Sequence, residues 1–229
     1  MQTQPTSSSN IPLSLFAGAL LYGGLCVLAG VLGTKIASLG HWPVLGDLAV
    51  ESGIFAFLLL VVLGSATAEL HGPQTANRLV RFGFVPLIVS MILLVTVINV
   101  VPPAPFWHDQ DAFARLLGQG ARMQLAGLVS YGTSQTLNVA VFSRLAAGGR
   151  TSQLLWLRAW IASMLSQVVD TVIFITISFY GVLDTATGHP LPLGALMTGQ
   201  IISKLTLSTI MVPPLIYVFV ALGRWLDRR

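Results

Sequence analysis

Six apolar runs, each close to the length needed to cross a bilayer, dominate the sequence and leave little choice of solvent for the chain. The first runs from Ile11 to Gly33, the second from Ser52 to Ala68 with Glu69 at its end, and the third from Phe82 to about Val101. The fourth runs from about Met123 to Ser143. The fifth, Ala159 to Leu183, is interrupted only by Asp170; the sixth, Leu193 to Gly223, only by Lys204. The connections are expected to be short, with turns at Gly72-Pro73, Pro102-Pro103-Ala104-Pro105, Gly148-Gly149 and Gly188-His189-Pro190. A kink is expected at Pro213-Pro214.

Composition agrees. Only 9% of the 229 residues are charged and 54% are hydrophobic. The mean hydropathy is +0.80. A soluble domain has about a quarter of its residues charged. The fold expected is therefore an all-α membrane protein, one compact bundle of six transmembrane helices over residues 11–229, preceded by a flexible polar tail over residues 1–10. That tail has no Lys or Arg before the apolar run and no convincing A-x-A site, so a retained first helix is expected rather than a cleaved signal peptide.

Lys and Arg set the orientation. Arg78, Arg81, Arg144, Arg150, Arg158, Arg224, Arg228 and Arg229 fall on one side. Only Lys35, Arg115 and Arg122 fall on the other, together with Asp47, Asp109, Asp111 and Asp184. Both termini are expected in the cytoplasm, with the chain multi-pass in the inner membrane. Trp42 and Trp107 fit the outer interface, and Trp156, Trp160 and Trp225 the inner one. The net charge of +4 follows this topology; no basic stripe with interleaved aromatics marks a nucleic-acid surface. The single cysteine, Cys26, lies in an apolar run and reads as a buried thiol. No cofactor or metal site is expected. Small residues are dense in the first and fourth runs (Gly18, Ala19, Gly23, Gly24, Gly30; Ala126, Gly127, Ser130, Gly132) and imply close helix packing.

Polar groups inside the membrane are costly and mark function or pairing. The fourth run carries Tyr131, Ser134, Gln135 and Asn138. The fifth carries Ser163, Ser166, Gln167, Asp170, Thr171 and Phe174 as one helical stripe, and the sixth carries Gln200, Ser203, Lys204 and Thr206. Three polar faces suggest one shared cavity. Asp170 and Lys204 lie at similar depth, so they are either parts of a solute site or a helix-fixing ion pair. Gln135 and Asn138 read either as solute contacts or as inter-helix hydrogen bonds, and Arg158 as a topology or headgroup charge. A carboxylate with amides suits a neutral heterocycle: a carboxylate accepts two N–H groups, an amide reads a carbonyl, and Phe174 or Tyr131 covers the ring. Residue chemistry alone stops at a polar solute. H-E-x-x-H, G-x-S-x-G and paired catalytic Asp motifs are all missing, and His41, His71, His108 and His189 fall in expected loops, so an enzyme is not expected.

Several of these residues fall in a pattern. Ala162-Ser163, Ser166-Gln167-x-x-Asp170-Thr171-x-x-Phe174, Tyr131-x-x-x-Gln135-x-x-Asn138-x-x-Val141-Phe142, Glu69-Leu70-x-Gly72 with Ala76 and Arg78, and Lys204 with Pro213 together resemble the YhhQ-type queuosine precursor transporter family over residues 14 to 220. The family often has Asp where Ser65 and Asn138 stand here. The resemblance implies a six-helix importer of 7-cyano-7-deazaguanine and 7-aminomethyl-7-deazaguanine for tRNA queuosine modification, working without a dedicated ATPase. The substrate-binding set it implies is Asp170, Gln167, Gln135, Asn138, Lys204, Glu69, Ser163, Thr171, Phe174, Tyr131 and Arg158. The partners expected are the deazaguanine base and the lipid bilayer, with a homodimer left open. The family in turn resembles the vitamin-binding subunits of energy-coupling-factor transporters. The alternative reading is such a subunit, with partner proteins docked on its small-residue surfaces.

Overall fold

The computed structural model describes residues 11–147, 155–184 and 187–228. The expected tail over 1–10, the Gly148-Gly149 turn with Arg150, and Arg229 lie outside them. So do the side chains of Gln135, Asn138, Phe142, Trp156, Arg158, Trp160 and Ser163.

The described elements run α1 (Leu13–Gly33), β1 (Ile36–Trp42), β2 (Gly46–Glu51), α2 (Ile54–His71), α3 (Pro73–Val100), α4 (Gln110–Ala147), α5 (Leu155–Phe179) and α6 (Leu193–Leu226). Each expected apolar run falls largely in a helix, although the fifth ends at Phe179 rather than Leu183, and several helices outrun the apolar part. α3 begins at Pro73 rather than Phe82, and α4 at Gln110 rather than Met123. Helical turns satisfy their own backbone groups, so a helix continues into polar sequence until a breaker ends it. Gly72, with φ +85°, and Pro73 at the first position of α3 supply such a break. α6 stays helical through Pro213 and Pro214.

Among the described residues, α1, α2, α3 and the Thr209–Leu226 part of α6 are long and apolar enough to span a bilayer, and Met164–Phe179 of α5 is a shorter apolar stretch. α4 is less apolar because its polar side chains turn to neighbouring helices. Arg122 donates from Nε to the carbonyl of Ile177 at 2.6 Å and from Nη2 to that of Tyr180 at 2.6 Å. Gln119 donates to Ser178 O at 2.7 Å. These three bonds satisfy carbonyls that the end of α5 leaves unpaired. Arg122, counted above as an outer-side charge, is thus a helix cap.

The sequence reading expects a short loop after α1. The structure instead forms an antiparallel hairpin there, β1 with β2, closed by Pro43–Leu45 and by Gly46 at φ +75°. The hairpin folds against α6. Leu48 and Val50 are buried, and the backbone of Ala49 meets α6 at Gly199, where a Cβ would strike the Ala49 carbonyl. At Gly53 a Cβ would strike the Ala29 carbonyl of α1. The small residues of the first and fourth runs pack closely in part: Gly23, Gly30 and Gly33 have near neighbours and Ala126 and Ser130 are buried, whereas Gly18, Gly24, Gly127 and Gly132 have open space at the Cβ position.

Two apolar clusters hold the bundle. Tyr22, Leu25, Cys26, Ala56, Leu63 and Leu79 join α1, α2 and α3. Met123, Ile175, Phe179 and Leu196 join α4, α5 and α6 beneath the hairpin.

Candidate functional site

α5 and α6 bring Asp170 and Lys204 together. The Lys204 ammonium donates to Asp170 Oδ2 at 2.9 Å and lies 3.5 Å from Thr171 Oγ1. Ser134 of α4 donates to Asp170 Oδ1 at 3.4 Å. The ring of Phe57 on α2 stands 5.2 Å from the ammonium, within cation–π range. Lys204 is eleven residues into α6 and Asp170 nine from the end of α5. At 1.5 Å per residue each stands about 15 Å along its helix from the hairpin-side end, so the two lie at one level of the bundle. Their side chains are 10% and 20% exposed, so the pair is largely withdrawn from water. A cavity of about 30 Å³, room for a water, opens beside it and is lined by Gln167, Thr171 and Lys204 with Met164, Val168, Ile201 and Leu205.

One helical turn before Lys204, Gln200 reaches the hairpin. Gln200 Nε2 donates to Glu51 Oε1 at 2.9 Å, and the Gly53 N–H donates to Glu51 Oε2 at 2.7 Å. Glu51 is 5% exposed and Gln200 2%. Burial pushes the Glu51 carboxyl above the ordinary carboxylate range; the Gln200 and Gly53 donors and the Lys204 charge pull the other way. Gln200 Oε1 is buried with no partner among the described residues. Polar groups therefore run from Glu51 at the hairpin, through Gln200 and Lys204 on α6, to Asp170, Thr171 and Ser134.

Of the expected residues, the structure brings together Asp170, Lys204, Thr171 and Gln167. Tyr131 stacks at a tilt on Phe84, with ring centroids 5.2 Å apart. Phe174 packs with the Met123 cluster and is not among the residues lining the small cavity. Glu69 is exposed in the last turn of α2, twelve residues and about 18 Å along that helix from Phe57. It does not join the centre. Gln135, Asn138, Arg158 and Ser163 have side chains outside the described part.

Sequence reasoning misses Glu51. Its signal is the alternation in Asp47-Leu48-Ala49-Val50-Glu51, a strand pattern that a search for apolar runs passes over. A second polar cluster is also missed. Ser14 Oγ lies 2.7 Å from His71 Nε2 and donates to Asp227 Oδ2 at 2.7 Å, while the Ser14 N–H donates to Asp227 Oδ1 at 2.9 Å. These donors hold the Asp227 carboxyl below its usual range. The cluster ties α1, α2 and α6 at the end opposite the hairpin, beside a mainly apolar cavity of about 90 Å³. Nothing in the sequence links three residues so far apart.

Long apolar helices around a buried polar centre define a multi-pass helical membrane protein. The chain belongs to the family described as “Putative vitamin uptake transporter”, whose model matches residues 51–218. That is a transporter family and not an enzyme family, as the sequence reading expects. The chain is also 32% identical, over 114 residues, to the “Probable queuosine precursor transporter” of Bacillus subtilis (strain 168). The match covers 50% of this chain and 49% of that relative, so the chain spans about half the length of the curated relative it matches. No solved structure matches significantly.

Proposed function

We propose that the chain imports 7-deazaguanine precursors of queuosine, 7-cyano-7-deazaguanine or 7-aminomethyl-7-deazaguanine, for tRNA modification. It does so as a six-span inner-membrane protein with both termini cytoplasmic and without a dedicated ATPase. The observation that carries the reading is the buried polar line from Glu51 to Asp170, inside a bundle of long apolar helices, where such groups are kept only against partners or a solute. The name of the Bacillus subtilis relative supports the solute class. Asp170, Lys204, Thr171 and Gln167 form the centre of the proposed site. Ser163, Gln135 and Asn138 join it by helical spacing, Tyr131 and Phe174 are its aromatic neighbours, and Arg158 and Glu69 stand toward the cytoplasmic mouth. The cavity of about 30 Å³ among the described residues is smaller than a fused-ring base, so on this reading the helices part to admit it.

The test is the queuosine content of tRNA in a strain that cannot make the precursor and is fed it at low concentration. Asp170→Ala and Gln167→Ala are each expected to abolish queuosine while the protein still inserts. Normal queuosine in the Asp170→Ala strain contradicts the assigned role.

The family description names vitamin uptake, which leaves room for a second reading, a vitamin-binding subunit energised by partner proteins. Transport by the protein reconstituted alone, without ATP, rules that reading out.

A further inference from the structure

We infer that Glu51, with Gln200 beside it, is the group that accepts the N–H edge of the carried base, and that Asp170 acts on the solute only by holding Lys204. The inference rests on the deazaguanine reading above and assigns a recognition role within it.

The argument begins with what each carboxylate already holds. Asp170 Oδ2 is taken by an ammonium at 2.9 Å, and Oδ1 faces the Ser134 hydroxyl at 3.4 Å. A neutral N–H or amino group that displaced Lys204 would strand two opposite charges in a poorly solvated interior, a poor exchange. Glu51 accepts only from neutral donors, the Gln200 amide at 2.9 Å and the Gly53 N–H at 2.7 Å. A solute N–H that takes the place of the Gln200 amide exchanges one neutral hydrogen bond for another, and the freed Gln200 Nε2 can donate to a carbonyl on the same solute edge. The exchange leaves no charge unpaired.

Gln200 supplies the second half. Its Oε1 is buried and unpartnered among the described residues, an arrangement that a folded protein retains only at a cost. Two acceptors therefore stand side by side, Glu51 Oε1 and Gln200 Oε1, one of them waiting for a donor. A ring N–H with an adjacent exocyclic amine presents two donors in that arrangement. One turn further along α6, about 6 Å, the Lys204 ammonium is placed to donate to a carbonyl on the same edge.

The backbone is shaped for this carboxylate. A Cβ at Gly33 would fall 2.9 Å from Glu51 Oε2, and one at Gly53 2.6 Å from the same atom. Glycine at both positions leaves the room that Oε2 occupies. Because Glu51 ends β2, the seat of the hairpin on α6 fixes where the acceptor stands.

The test is equilibrium binding to the purified full-length protein in lipid nanodiscs. The probes are 7-cyano-7-deazaguanine and its analogue lacking the 2-amino group. Wild type is expected to prefer the aminated base at least tenfold. Glu51→Gln keeps an acceptor for the Gly53 N–H and is expected to weaken the aminated base at least tenfold, bringing the two affinities within threefold of each other. Equal weakening of both bases, or an unchanged ratio, overturns the inference. Should Glu51→Gln not fold, Gln200→Met carries the same test: the preference falls at least threefold, and an unchanged preference overturns the inference. Wild type that binds neither base overturns the deazaguanine reading itself and this assignment with it. Tight binding of the aminated base with its preference intact in Glu51→Gln overturns only the assignment.

Discussion

Lys204 holds one direct counter-charge, Asp170, and feels a second carboxylate, Glu51, across one turn of α6. Removing one partner of a buried pair leaves the other charge uncompensated, at about 3–5 kcal/mol. Asp170→Ala and Lys204→Ala are each expected to lower thermal stability in detergent by that order, and the double variant by less than the sum. A strictly additive double variant contradicts a direct pair. Glu51 and Asp227 give opposite pH dependence. The Asp227 carboxyl is held low, so its contribution to stability is present above the ordinary carboxylate range and is lost as pH falls through its folded value. Ser14→Ala removes the hydroxyl donor but keeps the backbone N–H, and is expected to reduce that acid sensitivity in a melting-temperature profile; an unchanged profile contradicts the hydroxyl's part in it. The Glu51 carboxyl is held high, so its contribution is present at low pH and lost as pH rises through its folded value. Glu51→Gln, neutral at every pH, is expected to flatten that loss in a melting-temperature profile. The Asp170–Lys204 pairing is legible in the sequence because depth follows from counting residues along two neighbouring antiparallel helices. The contact between Gln200 and Glu51 is not, because it depends on how the hairpin folds back onto α6.

At the scale of elements, helices α1, α2, α3 and α6 read directly from hydropathy, since a bilayer demands about 20 apolar residues in a row. Their ends read less well. Arg78 and Arg81 lie inside α3, because charged residues continue a helix as well as end it. The hairpin escapes the same reading: β1 carries Gly40, His41 and Trp42, which match neither an apolar run nor a clean alternation. Its seat on α6 depends on Gly199, which has no side chain to strike the Ala49 carbonyl. Gly199→Val is expected to unseat the hairpin, at about 1–3 kcal/mol by the usual cost of overpacking. The readout is faster proteolysis at the exposed tip around Val44 in the folded protein. Unchanged cleavage means the hairpin is not held there.

At the scale of the molecule, contacts fasten the described bundle at both ends. The hairpin, with Leu48, Val50 and Glu51 buried, seats on one end, and Ser14, His71 and Asp227 tie the other. The polar line runs from the hairpin inward, and outside it α3 turns Phe82, Val85, Val89, Ile92 and Leu93 outward, an apolar face suited to lipid. The most direct measurement is uptake of 7-cyano-7-deazaguanine into liposomes that contain only this protein and no ATP. The account predicts saturable uptake that is lost in Asp170→Ala while the variant remains folded. Wild-type liposomes that accumulate no more base than empty ones, or Asp170→Ala liposomes that match wild type, contradict it.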